Sequence, residues 1–233
     1  MPGIIAILPA AGMGTRMGGE SPKQFRLLDG VPLLVFTLRR LAACPSITEF
    51  LIATKIDPGP VHRLLRIITD FLKQWHVLQR ETFPSIDGIM VLDDIVGFIS
   101  EEDFVEFGLP YLKELYATDV AVKLFHNDAP CAQSVRHYAG LGINLFNPGI
   151  QDSLTELRQL SGHRLTILGN IPPRDVLAQG TPADVRAAVR QLLAETKDHS
   201  RLILSCAGGM PPGVSTENIR AFIQAVESFN CSG

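Results

Sequence analysis

Cysteine is scarce and unpaired in this 233-residue sequence, where Cys44, Cys131, Cys206 and Cys231 lie far apart and form no CxxC motif. Such spacing gives no disulfide framework, so free thiols in a reducing, cytoplasmic compartment are expected. A basic excess is also missing. The net charge is -3 and the lysines and arginines are scattered, which removes the electrostatic footprint that a phosphate backbone requires and makes nucleic acid an unexpected partner. No long hydrophobic run is present. Met1-Pro2-Gly3 leads into a short apolar strand and then turn residues, too little for a signal-peptide core or a membrane span, so neither targeting nor membrane association is expected. Internal repeats and low-complexity segments are likewise lacking. Disorder is excluded by an apolar fraction of 46%, a charged fraction of 19% and a mean hydropathy of +0.18.

What is there is the material for a buried core, since a chain of this length buries roughly 70% of its unfolded surface. Apolar runs of strand length near 4–9, 49–54, 87–93, 120–125, 142–146, 165–168 and 201–205 alternate with helical periodicity near 32–43, 60–79, 101–117, 130–140, 151–160, 182–196 and 216–229. The alternation predicts an α/β, (β/α) barrel-like fold of about seven parallel strands, an incomplete or irregular TIM-type barrel; an open doubly wound sheet is the alternative. Both architectures place chemistry at the C-terminal ends of the strands. Ser100 ahead of Glu101, Glu102 and Asp103, Thr181 ahead of Pro182, and Ser215-Thr216-Glu217 read as helix starts, with a capping oxygen and acidic residues that offset the helix dipole. Ile56-Asp57-Pro58-Gly59-Pro60 interrupts regular structure and marks a seam.

The first strand opens into Pro9-Ala10-Ala11-Gly12-Met13-Gly14-Thr15-Arg16. Small residues let backbone N–H groups crowd an anion, Gly12 and Gly14 permit positive φ angles, and Arg16 with Lys23 would neutralise phosphate charge. A simple strand-to-helix turn accounts for the same glycines. The stretch through Lys23-Gln24-Phe25 to Thr37-Leu38 resembles the start of the 4-diphosphocytidyl-2-C-methylerythritol synthases, which are cytidylyltransferases. The resemblance implies a CTP site lined by Ala10, Ala11, Gly12 and Gly14, with Arg16 and Lys23 stabilising charge and Mg2+ accompanying the nucleotide. No stretch after about Thr54 matches that family's metal- and base-binding segments.

Further along, Asp93 and Asp94 end an apolar strand, where a carboxylate either faces a substrate as acceptor or base or caps the next loop. His126 and Asp128 follow another strand with i, i+2 spacing, which either turns both the same way as a proton-transfer or metal pair or leaves His126 a hydrogen-bonded structural residue. Cys131 follows Pro130 at an expected helix start, a place that either lowers a thiol pKa or buries a small apolar side chain. Trp75, His76 and Tyr111 read as packing or surface groups, and His62, His163 and His199 as surface or capping residues.

Val61-His62-Arg63-Leu64-Leu65, Asp93-Asp94-Ile95-Val96-Gly97, His126-Asn127-Asp128, Leu168-Gly169-Asn170-Ile171-Pro172-Pro173 and Gly208-Gly209-Met210-Pro211-Pro212 together resemble the C-terminal part of the uroporphyrinogen decarboxylase superfamily, which includes corrinoid-dependent methyltransferases. The resemblance implies a (β/α) barrel. It puts Asp94 where the decarboxylases have a substrate-contacting serine and Gly208 where they have a histidine. In the methyltransferases a His-x-Cys and a distant Cys bind zinc, which implies His126, Asp128 and Cys206 as a metal set, with Asp128 replacing one thiolate and Gly208 falling on the third position. The decarboxylases' arginine clamp lies ahead of the matched region.

Two parts are therefore expected, a nucleotidyltransferase-like segment at 1–54 and a partial barrel at 55–233 fused with it. The expected protein is a recombined, decarboxylase-like scaffold without full catalytic activity. CTP-binding and zinc- or corrinoid-dependent methyl-transfer activities stand as alternatives. A homodimer is expected because a barrel short of strands exposes edges and apolar surface.

Overall fold

The computed structural model describes the strands Ile4–Leu8, Leu27–Leu28, Val31–Pro32 and Ile47–Ile52, and residues 58–230 except Lys197. The chain divides into two compact units, Met1–Phe71 and Leu72–Gly233. In the first, β1 (Ile4–Leu8) pairs in parallel with β4 (Ile47–Ile52), while β2 (Leu27–Leu28) and β3 (Val31–Pro32) form a short antiparallel ribbon. The helix expected near 32–43 lies outside the described residues. Helix α1 (Pro58–Thr82) runs from the first unit into the second. Pro58 and Pro60 sit in its first turn, where a missing N–H leaves no bond unmade.

The second unit holds a five-stranded sheet in the order β5 (Gly88–Leu92), β6 (Val122–Asn127), β7 (Leu145–Pro148), β8 (Thr166–Leu168) and β9 (Leu202–Ile203), with every neighbouring pair parallel. The expectation of about seven strands in one sheet is thereby corrected to five. The apolar runs at 4–9 and 49–54 do form strands, but those strands pair with each other in a separate sheet. Apolar periodicity locates strands. Sheet membership depends on register and on packing between distant segments, which no local pattern encodes.

Alternation along the strands separates two faces. Phe125, Phe146 and Ile167 are buried against Phe104, Leu112, Tyr138 and Leu157 in the main core. Tyr138 is its centre, with its ring edge-on to Phe125 at 4.9 Å and to Phe146 at 5.1 Å, and its hydroxyl 2.7 Å from Ser134 Oγ. A second cluster joins Val185 and Val189 to Ala221 and Ala225. The opposite sheet face carries Met90 and Leu92 on β5, His126 on β6, Asn147 on β7 and Ile203 on β9; Met90, Leu92 and Ile203 are exposed.

The single helix expected over 101–117 is a composite. A turn of α-helix, α2 (Glu101–Asp103), passes through a π-helical stretch at Phe104–Gly108 into α3 (Leu109–Leu115). Pro110 in the first turn of α3 has no N–H to continue a regular ladder, and the wider turn accommodates it. Ser100 Oγ accepts the Asp103 N–H at 3.1 Å, as its capping pattern requires. Among the described residues four α-helices follow, α4 (Val135–Tyr138), α5 (Leu154–Leu160), α6 (Pro182–Glu195) and α7 (Thr216–Asn230), with a π-helical stretch at Pro173–Ala178 between α5 and α6. Thr181 and Asp184 form a reciprocal capping box on α6. Ser215 Oγ accepts the Asn218 N–H ahead of α7.

Candidate functional site at the C-terminal edge of the sheet

The C-terminal ends of β5, β6 and β7 bring polar side chains together. His126 stands opposite Leu92 on one side and Asn147 on the other. Its side chain is 10% exposed, and Nδ1 lies 2.8 Å from Asn147 Oδ1. Two residues on, an Asp128 carboxylate oxygen lies 3.5 Å from His126 Nε2. The expected i, i+2 juxtaposition is present because β6 ends at Asn127 and the following residue turns back over the strand end.

That turn is held from both sides. Asp94 Oδ1 accepts the Asp128 backbone N–H at 2.8 Å, and Gly149 N donates to Asn127 O at 2.9 Å. A Cβ on Gly149 would lie 2.3 Å from Asp128 O, so only glycine permits the approach. Asn127 Oδ1 accepts the Ala129 N–H at 2.7 Å, which tightens the same turn. Asp93 turns to its own loop, with Oδ1 accepting the Ile95 N–H at 2.9 Å. Burial pushes its carboxyl above the usual carboxylate range, opposed by the N–H groups of Ile95 and Val96 and aided by the charge of Asp94.

The metal set expected from His126, Asp128 and Cys206 does not form. Among the described residues no three His, Cys, Asp or Glu side chains are placed to hold a metal ion. Cys206 is buried and its thiol donates to Gly208 O at 3.4 Å, while Gly208, facing Asp128, has no side chain to ligate with. Two donors of different hardness do not make a tetrahedral zinc site, and no step through zinc follows. The phosphate-loop candidates Ala10, Ala11, Gly12, Gly14, Arg16 and Lys23 all lie outside the described residues, and with them the Mg2+-nucleotide expectation.

Cys131 precedes α4 and does not open it. Its backbone N–H donates to Asp152 Oδ2 at 2.6 Å, and its thiol lies 3.3 Å from the same oxygen. Burial, reinforced by that carboxylate, drives the thiol far above its ordinary range, which disfavours the thiolate. Tyr111 is buried in α3 and Trp75 lies half exposed on α1. His199 caps α6 through Leu193 O at 2.8 Å and meets Phe229 edge-on, and His163 lies exposed near Asp198.

Asn147 is the component that sequence reasoning missed. In Leu145-Phe146-Asn147-Pro148 it reads as a polar residue closing a strand, and only the β6–β7 register sets it against His126.

The family model of uroporphyrinogen decarboxylase (URO-D) matches residues 44–229. The chain belongs to the uroporphyrinogen decarboxylase family. It is 25% identical over 181 residues to uroporphyrinogen decarboxylase of Vesicomyosocius okutanii subsp. Calyptogena okutanii, a match covering 75% of this chain and 50% of that one. Against the enzyme of Chlorobium phaeovibrioides it is 26% identical over 180 residues, covering 73% and 50%. This family member thus spans about half the length of the curated relatives it matches. A methyltransferase from Methanosarcina mazei shares its fold with a TM-score of 0.57 at 16% identity, over 85% of this chain and 64% of that one. The five-stranded parallel sheet is accordingly compatible with a TIM-like barrel. The family model of 2-C-methyl-D-erythritol 4-phosphate cytidylyltransferase matches residues 4–74, overlapping the first match across 44–74.

Proposed function

We propose that this uroporphyrinogen decarboxylase family member is a recombined ligand-binding scaffold, joined from cytidylyltransferase-like and decarboxylase-like segments, without full decarboxylase activity. Its polar cluster at the sheet edge is the ligand site. The carrying observation is the charge at that edge: Asp94 and Asp128 meet beside His126, with Asp93 in the adjoining loop, and among the described residues no lysine or arginine is hydrogen-bonded to them. A porphyrinogen is a polycarboxylate and needs cations, each charge-assisted contact being worth about 1.5–3 kcal/mol. Gly208 supports the same reading, because its position faces Asp128 and His126 with no side chain of its own.

Within the cluster His126 and Asp128 can pass or hold one proton, and Asp94 fixes the backbone that carries Asp128. Titration with uroporphyrin, followed by its fluorescence, is expected to show no saturable binding. Tight, salt-sensitive binding lost on removing a basic side chain would overturn the reading.

The match over residues 4–74 favours a second reading, in which the first segment retains a CTP cradle using Arg16 and Lys23. Calorimetric titration with CTP and Mg2+ tests it. Binding abolished by Arg16→Ala supports the cradle, and no binding removes it.

A further inference from the structure

Helix α1 turns its more apolar side outward. Thr69 is buried, and Leu65, Leu72 and His76 on the same side are partly buried, with Leu72 packed against the main core. The opposite side carries Leu64, Ile67, Phe71, Trp75 and Leu78, whose spacings of three and four residues place them in one stripe along the helix. Leu64 is partly buried, whereas Ile67, Phe71, Trp75 and Leu78 are 67%, 63%, 48% and 51% exposed, and Ile68 beside them is 43% exposed. All of these residues lie on one continuous helix, so α1 alone fixes the stripe. A surface helix ordinarily keeps its apolar stripe inward, and an exposed apolar patch of this size marks a face that another body covers.

The order of residues in the stripe says what that body is. About Phe71 the spacing is symmetric, with Ile67 and Trp75 four residues to either side and Leu64 and Leu78 seven. A two-fold axis at Phe71 therefore lays α1 of a second copy antiparallel on α1, and sets Phe71 against Phe71, Ile67 against Trp75 and Leu64 against Leu78. From Leu64 to Leu78 the stripe follows the 3.5-residue repeat of a shallow crossing, about 20° from antiparallel, which keeps the two helices in contact over about 21 Å. The charges agree. Arg63 and Glu81, both exposed, lie on the same flank of the stripe near its opposite ends, and the two-fold brings Arg63 of each copy toward Glu81 of the other. Covering Ile67, Ile68, Phe71, Trp75 and Leu78 removes about 600 Å² per copy from water, about 1,200 Å² for the pair, the lower end of the range for a specific interface. We infer that the outer face of α1 is a self-recognition surface, and that its occupant is α1 of a second copy of this chain.

Trp75 is the chain's single tryptophan, so its fluorescence reads this face directly. On dilution of the full chain, the Trp75 emission is expected to move to longer wavelength in step with a dimer-to-monomer shift in sedimentation velocity. Phe71→Glu sets two carboxylates against each other on the axis and is expected to raise the dissociation constant at least about tenfold. Phe71 is exposed in the single chain, so the variant is expected to keep its fold, checked by circular dichroism. Arg63→Glu alone is expected to weaken the pair, and Arg63→Glu combined with Glu81→Arg to restore it. A monomer at every concentration overturns the inference, as does a dimer that Phe71→Glu leaves intact, the behaviour of one held through the sheet edges, or a double reversal that restores nothing. A monomer that co-sediments with phosphatidylserine vesicles, and loses them in Phe71→Glu, also overturns it by giving the face to a lipid surface.

Discussion

At the scale of single residues, the environment decides what each polar group can do. Asp93 illustrates this. Burial holds its carboxyl above the usual carboxylate range. A carboxyl with a raised folded-state pKa binds its proton more tightly in the folded chain, so its stabilising contribution is complete below the unfolded pKa and disappears as pH rises through the folded one. Asp93→Asn keeps an oxygen for the Ile95 N–H and removes that dependence. Urea unfolding is expected to show the variant gaining over the parent as pH climbs above about 4 and levelling toward neutrality; a constant difference across the range would mean that Asp93 does not carry a raised pKa.

Phe125 makes the complementary case for packing. It is fully buried, with its ring near-parallel to that of Phe146 and edge-on to that of Tyr138. Phe125→Ala is expected to cost about 3–5 kcal/mol in denaturant unfolding, because the interlocked rings leave little room for collapse into the cavity. A cost below about 1 kcal/mol, the level of an ordinary surface change, would contradict the central place given to this cluster.

Among the elements, local signals were the legible part. The capping oxygens at Ser100, Thr181 and Ser215 are used as the sequence suggests, because a cap involves only residues within one turn. Thr181→Ala, which removes one half of the α6 box, is expected to cost about 0.5–2 kcal/mol in thermal or urea unfolding. An unchanged midpoint would show the box to be redundant.

Strand positions were legible too, while their assignment to one sheet was not, and the helix expected at 130–140 starts later. There the Cys131 N–H goes to Asp152, twenty-one positions on, a partner no helical pattern could announce. The same limit governs the site. His126 and Asp128 were visible as an i, i+2 pair on one strand, but Asn147 comes from the neighbouring strand, and the orientation of the Cys206 thiol is set by its own local backbone. Gly149 lies between these levels. Gly149→Ala would drive a methyl into Asp128 O, and is expected to shift the Asp128 backbone resonances and to destabilise the chain by about 1–3 kcal/mol. Unshifted resonances would show that the turn tolerates the added atom.

For the whole molecule, the family relation and the half-length match set the frame. Among the described residues β5 and β9 each pair on one side only, and Met90, Leu92 and Ile203 are exposed on the sheet face that carries His126. Self-association is the proposed consequence, since open parallel edges beside apolar surface favour a further partner. Sedimentation velocity over a dilution series is expected to show a concentration-dependent rise toward a dimer, and a monomer at every concentration would remove that proposal. Among the described residues no helix is long and apolar enough to cross a membrane.

The proposed function is a family member that keeps a parallel sheet with a polar edge while lacking full decarboxylase chemistry. Its most direct test is anaerobic incubation of the folded protein with uroporphyrinogen, followed by chromatography of the oxidised porphyrins. The expected result is recovery of the starting porphyrin at the level of a protein-free control. Stepwise appearance of porphyrins with fewer carboxylates, abolished by His126→Ala or Asp94→Ala, would contradict it and make this edge a working decarboxylase site.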